Sequence, residues 1–477
     1  MAAINLTDLT ISGVHTAYHR GDYTIVELVQ AYLTRIDQIN PQLNYVLAIN
    51  PDAIEQAQAL DDEFQATHKL RPLHGVPMLV KDNIITAAMP TTFGSKLAVP
   101  GKEKLSDNAP VITQLQDAGA IILGKTAMPD WATDLFSAST VTTWTENPYD
   151  RSRDTGGSSS GTAAGIACNL ALVGVGSDTG GSIRLPSAFC GVVGMRPTVG
   201  LISSAGISVF VGSQDTVGPI CRTVTDAARV LDTLALPTSP QFLRPRGESY
   251  AALLTPSNLP GPVHLGHLPE LGADDDGVRA VFTQVLDRLR QHPLVTISDL
   301  TIPDLTTSLD AASINLSRGK HDLNDFLGPM FNTSVEAIYQ ANEYPSSNFA
   351  IPGMILDKST ATDCYKQSDT RDALEHAVTA HMLRTGVETL LFLTAGKPAP
   401  LREDIEDPMD GLKFPYHTML ASTLRWPAIS VPAGLTSTGL PVGIEIVGRP
   451  LSEQRLLEVA FVVEQIVMGR QPPPELV

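Results

Sequence analysis

Apolar residues along this chain gather into short runs separated by amphipathic stretches, which is the alternation expected of an α/β protein. Thr24-Ile25-Val26-Glu27 forms a capping box, and Ile25, Leu28, Val29, Tyr32, Leu33 and Ile36 follow at helical spacing, so a helix starts near Thr24. A strand over 45–47 and a helix over 52–64 come next. Residues 77–80 read as a buried strand that ends on Lys81. A helix over 109–117 leads into a strand over 120–123, closed by Gly124-Lys125-Thr126. The pattern then predicts a buried helix over 163–172, a strand over 173–176 and an amphipathic helix over 222–234. Strands over 263–265 and 295–297 bracket a helix over 278–291. Residues 305–383 are mostly helical in pattern, and 388–394 is another apolar strand. Paired strands over 427–432 and 442–447 and a closing helix over 451–467 complete the chain.

Two turns break this alternation between residues 156 and 197. Gly156-Gly157-Ser158-Ser159-Ser160-Gly161 and Asp178-Thr179-Gly180-Gly181-Ser182-Ile183-Arg184 flank an apolar segment. Glycine is required where the backbone takes positive φ or approaches a bound group closely, so these turns aim backbone N–H groups at something. Either turn alone reads as a tight turn and no more. Lys81 alone reads as a surface lysine paired with Asp82, because lysine is usually exposed. Further pieces accompany them: Gly75-Val76-Pro77-Met78-Leu79-Val80-Lys81-Asp82-Asn83, Gln214-Asp215-Thr216-Val217-Gly218-Pro219, Arg222-Thr223-Val224, Leu440-Pro441-Val442-Gly443 and Gly448-Arg449-Pro450.

On these residues, in this order, the sequence resembles the amidase signature family of serine hydrolases. The resemblance runs over nearly the whole chain and is weakest between 239 and 414. It implies one large α/β domain over residues 1–477, with a mixed central β-sheet covered by α-helices on both faces. Residues 305–385 would be a variable helical region forming the wall of the substrate pocket. The implied chemistry is hydrolysis of a carboxylic amide through an acyl-serine. Ser182 would be the nucleophile, Ser158 a proton relay set beside a cis peptide bond, and Lys81 the general base. An ammonium has no lone pair, so Lys81 must be neutral, which burial favours. Thr179, Gly180 and Gly181, with Ala132, are expected to serve the oxyanion and the substrate. Asp178 and Arg184 are expected to hold the turn by charge-assisted hydrogen bonds, with a substrate carboxylate as the other use of Arg184. Phe93, Phe136, Phe210 and Trp426 are expected near the pocket. Two residues depart from the family pattern: Ser160 stands where many members have glycine, and Ala127 replaces an asparagine common after Gly-Lys-Thr.

Two rival readings remain at this stage. Gly157-Ser158-Ser159-Ser160-Gly161 also fits GxSxG, which would make Ser159 the nucleophile of an α/β-hydrolase with His417 as its histidine. The chain could also be a glutamine amidotransferase A-type subunit that works with partner subunits. None of the 11 histidines lies within 156–197, which suits a serine-lysine relay.

Composition narrows the partners. The 477 residues carry a formal net charge of −18, which disfavours nucleic acid and anionic membranes. The 4 cysteines have no CxxC spacing, so neither a metal site nor a redox pair is expected. No apolar run reaches the roughly 18 residues a membrane span needs, and neither end reads as an address. The expectation is therefore a cytoplasmic enzyme acting on a small-molecule amide without cofactor or metal, with a homodimer left open.

Overall fold

The apolar runs are the strands of one eleven-stranded sheet in the computed structural model of the chain, which describes residues 4–98, 107–235, 249–255 and 261–474. The extreme ends of the chain, read above for an address, and residue 239 lie outside the described residues. In chain order the strands are β1 (Val46–Ile49), β2 (Pro77–Lys81), β3 (Ile121–Thr126), β4 (Val173–Asp178), β5 (Val193–Arg196), β6 (Thr216–Cys221), β7 (Val263–His267), β8 (Val295–Asp299), β9 (Thr389–Leu393), β10 (Ala428–Leu435) and β11 (Pro441–Val447). Across the sheet they run β1-β3-β2-β4-β6-β5-β10-β11-β9-β7-β8. The pairs β3–β2, β2–β4, β9–β7 and β7–β8 are parallel and the others antiparallel, so the sheet is mixed as expected. Helices flank it.

The pairing that matters for chemistry is β2 with β4. Met78 lies opposite Val173 and Val80 opposite Val175, in parallel. Lys81 and Asp178 therefore end neighbouring strands at the same, carboxyl, edge of the sheet, where ligands of α/β sheets commonly bind. Both strands are buried throughout, and the helix Ser160–Ala167 packs on them. Gly176 makes this close approach possible: a Cβ there would stand 2.5 Å from Ser159 Oγ.

Thr24 caps the helix Ile25–Leu43 and shares a reciprocal capping box with Glu27. The helix expected over 163–172 instead spans Ser160–Ala167; Asn169 turns left-handed at φ 55 and Leu170 N–H bonds back to Gly165 O. The helical region comprises Leu305–Ala312, Gly319–Phe331, Val335–Ala341, Ala350–Leu356 and Ala361–Thr385. Leu323, Leu327, Ile351 and Met354 from these helices form an apolar cluster with Phe93, Trp131 and Phe210. Trp426 is not near the pocket. It packs with Leu268, Leu390 and Leu424 in a separate cluster, and its indole N–H donates to Glu375 Oε1 at 3.1 Å.

Candidate active site

The apolar strand β2 carries Lys81 into the interior, where the side chain is completely buried. Its Nζ lies 2.7 Å from Ser158 Oγ, 2.8 Å from Ser177 Oγ and 3.3 Å from Ser177 O. Burial pushes the Lys81 ammonium down from the usual lysine range to about 7, against the upward pull of Asp178 and Asp215. Asp82 is not its partner. That carboxylate faces Lys125 Nζ at 3.2 Å, and Lys125 also donates to Ile84 O and Thr91 Oγ1, each at 2.7 Å. Neighbouring lysines on β2 and β3 are thus sorted by environment, one held by a carboxylate and one by hydroxyls.

Ser158 follows a cis peptide bond from Gly157. Ser159 N–H donates to Ser182 O at 3.0 Å, which ties the two glycine turns together. Ser159 Oγ points the other way, donating to Ser177 O at 3.2 Å from a fully buried position. His417 is hydrogen-bonded through Nδ1 with Leu393 O at 2.9 Å, so the Ser159–His417 pair of the GxSxG reading is not assembled. Among the described residues no hydrogen bond joins the Ser158 and Ser182 hydroxyls.

The second turn is built around Asp178. Its carboxylate accepts from Gly181 N–H and Ile183 N–H, each at 3.0 Å, from Arg184 Nε and Nη2, each at 3.1 Å, and from Arg196 Nη1 at 2.9 Å. Burial alone would raise this carboxyl; Arg184 and Arg196 outweigh burial and hold it well below the usual carboxylate range. Arg184 is spent on Asp178, Glu445, Thr418 O and Ser422, all buried, so it is not turned towards a substrate. The Gly181 N–H is likewise taken by Asp178, whereas the N–H groups of Gly180 and Ser182 have no acceptor among the described residues. Gly181 has φ 131, and a Cβ there would stand 2.1 Å from Thr418 Oγ1.

Ser182 opens onto a small cavity lined by Ala132, Thr133, Asp134, Leu135, Thr179, Gly180, Phe210, Asn315, Leu316, Phe349, Ala350, Tyr416 and Met419. A larger cleft of about 960 Å³, lined among others by Gln214, Ser317, Cys364 and Arg371, contains none of the serine-lysine groups. Of the residues expected at the oxyanion, Ala132, Thr179 and Gly180 line the cavity and Gly181 does not; the Ala132 N–H is used by Pro129 O at 3.1 Å and the Thr179 hydroxyl by Asp215 at 2.5 Å. Of the expected aromatics Phe210 reaches it, while Phe136 packs edge-on against Phe414 and Phe93 stacks on Trp131. Sequence reasoning missed Ser177, whose hydroxyl accepts from both Lys81 and Asn83, and it missed Asp134 and Tyr416 in the cavity wall. Ser177 had one available signal, its place beside Asp178 at the end of an apolar strand.

A family model described as Amidase matches residues 27–457. A probable amidase of Arabidopsis thaliana is 32% identical over 99% of this chain and 92% of its own length. The A subunit of a glutamyl-tRNA(Gln) amidotransferase from an Exiguobacterium species is 33% identical over 98% of this chain and 100% of its own. Among solved structures, native peptide amidase from Stenotrophomonas maltophilia superposes with a TM-score of 0.85 at 30% identity, covering 98% of this chain and 99% of that one.

Proposed function

We propose, for a chain that belongs to the amidase family, that it hydrolyses a carboxylic amide through an acyl-enzyme on Ser182, with Ser158 and Lys81 as the proton relay. The observation that carries this reading is the wholly buried Lys81, hydrogen-bonded to Ser158 at 2.7 Å and with its ammonium lowered to about 7. Neutral Lys81 takes the Ser158 proton as Ser158 takes that of Ser182. Ser182 Oγ then bonds to the amide carbon. The oxyanion meets the free N–H groups of Gly180 and Ser182, and one such donor contributes about 10²–10³ in rate. Collapse breaks the C–N bond, and the proton returns through Ser158 to the leaving amine. Water enters by the reverse route and releases the acid. The Ser158–Ser182 hydrogen bond would form with substrate in place, as catalytic hydrogen bonds often do.

Asp178, Arg184 and Arg196 support the turn in this scheme, and Ala132, Thr179 and Gly180 face the substrate. Gly181 supports the turn through Asp178 and is not an oxyanion donor. The same reading has the enzyme acting on a small-molecule amide in the cytoplasm, with neither metal nor cofactor entering a step. Among the described residues no helix is long and apolar enough to cross a membrane.

Labelling with a fluorophosphonate, followed by intact mass, tests the nucleophile. Label is expected on the wild type and on Ser159→Ala and absent from Ser182→Ala. Loss of label only in Ser159→Ala would sink the mechanism. A second reading draws on the 33% identity to the amidotransferase protein: Ser182 would free ammonia from glutamine for partner subunits. Amide turnover by the isolated chain argues for the first reading; glutamine turnover only with an added partner argues for the second.

A further inference from the structure

We propose that Asp134 determines specificity at this cavity by recognising an amino group on the acyl part of the substrate, so that amino-acid amides are preferred over the matching simple carboxamides. The inference rests on the amide-hydrolase reading of Ser182. Asp134 lines the same cavity as Ser182 and is buried. Its carboxyl accepts from Phe136 N–H at 3.1 Å and is also favoured by the Leu135 N–H, and neither a side-chain donor nor an ion pair reaches it among the described residues. The other deeply buried acids near the site are better provided for. Asp82 faces Lys125, and Asp178 faces two arginines. Asp130 takes both the N–H and the hydroxyl of Thr140, and Asp154 takes Ser137 and Gly156. Asp134 alone of these has neither a cation nor a side-chain donor, and it lines the cavity.

A buried acid with backbone N–H donors but no cation is costly to ionise, so it marks a place where a ligand can supply the charge. Burial, helped by the Asp154 carboxylate, pushes the Asp134 carboxyl up to about 8 against the pull of the Phe136 and Leu135 N–H groups. A cation in the cavity reverses that: an opposite charge within a few ångströms favours the carboxylate. Much of the wall is apolar, with Leu135, Leu316, Phe349 and Met419, and would reject an amine that found no acceptor. Tyr416, the other titratable group of the lining, is raised to about 12 by burial and by Asp134 and stays neutral. The choice between an amine-bearing and a plain acyl group therefore falls to one side chain.

The test uses binding to the Ser182→Ala protein, measured by calorimetry, so that it does not depend on turnover. The probes are leucinamide and 4-methylpentanamide, which differ by the amino group alone. Leucinamide is expected to bind about tenfold tighter or more, the range for a hydrogen bond to a charged group. In Ser182→Ala/Asp134→Asn that preference is expected to vanish while 4-methylpentanamide binds as before. Equal affinities in Ser182→Ala, a preference that survives Asp134→Asn, or no binding of either probe overturns the proposal. The comparison of the two probes in Ser182→Ala stands even if the double variant fails to fold. Ammonia release by the wild type is read separately: its absence, with the preference intact, counts against hydrolysis and not against recognition by Asp134.

Discussion

At the scale of the residue, the proposed relay gives Lys81 control of the pH dependence. In that relay the neutral amine is the base, and its conjugate acid is lowered to about 7 by burial, with Asp178 and Asp215 opposing. Activity therefore rises with pH and levels off above that value. Below about pH 7, kcat/KM is expected to fall about tenfold per unit, as for loss of a single base. Lys81→Met, which keeps the length and loses the base, should lower kcat/KM by about 10²–10⁴ and remove that limb of the profile. A profile unchanged in Lys81→Met would count against the base assignment. Asp178 acts on stability instead. Its carboxyl is depressed in the folded protein, so its contribution is complete above the ordinary carboxylate range and is lost as pH falls through that range towards its own lower value. Asp178→Asn leaves Arg196 without its carboxylate and Arg184 with Glu445 only. A loss of about 3–5 kcal/mol in urea unfolding is expected for breaking such a buried pair. A loss under about 1 kcal/mol would mean that the arginines hold the turn without it.

At the scale of the element, the second turn works because adjoining glycines have different constraints. Gly181 needs φ 131 and has Thr418 Oγ1 where its Cβ would be, at 2.1 Å. Gly180 has only the sulfur of Met419 at 3.3 Å and Asn315 at 3.7 Å, on the cavity side. Gly181→Ala is expected to cost about 1–3 kcal/mol and to cripple turnover, through strain and overpacking. Gly180→Ala should unfold at nearly the wild-type urea concentration and lose activity through a narrowed cavity. Equal stability of both variants would show that Thr418 can give way. The glycines were legible as turn residues, but which of them is sterically locked was not. Thr418 comes from 237 positions further along the chain than Gly181, and no local pattern announces it. The same reason explains the elements that sequence reading left out. β5 and β6 contain Gly194 and Gly218-Pro219, which interrupt an apolar run, yet both strands are wholly buried and paired. The other strands, β1 to β4 and β7 to β11, were anticipated, most of them from short apolar runs; β4, which carries Gly174 and Gly176, was legible from its place just before the second glycine turn. The capping box at Thr24 was legible because all its parts lie within four residues.

At the scale of the whole molecule, the proposed reacting groups and the walls of the cavity come from different parts of the chain. β2 and β4 deliver Lys81 and the Ser182 turn at one edge of the sheet, and these were readable because motif and strand end coincide. The wall is assembled from residues 132–135, from Asn315, Leu316, Phe349 and Ala350 in the helical region, and from Tyr416 and Met419 near the far end. Only tertiary contact brings these together, which is why Trp426 was misplaced and Asp134 and Tyr416 were overlooked. The division predicts a division of effects. Leu316 and Phe349 line the cavity onto which Ser182 opens and make no hydrogen bond to the serine-lysine groups. Truncating either to alanine removes apolar contact that a long acyl chain uses equally in the ground state and the transition state. Such uniform binding appears in KM and not in kcat. With about 1.5–3 kcal/mol for one buried side chain, KM for 4-methylpentanamide should rise about tenfold or more, while kcat stays within about twofold. Acetamide, too short to reach the wall, should be turned over with nearly unchanged kcat/KM. Steady-state kinetics on the two amides decides it. A fall in kcat for both would mean that the helices position the nucleophile turn itself. In that case the region would be part of the catalytic framework and not only a substrate wall.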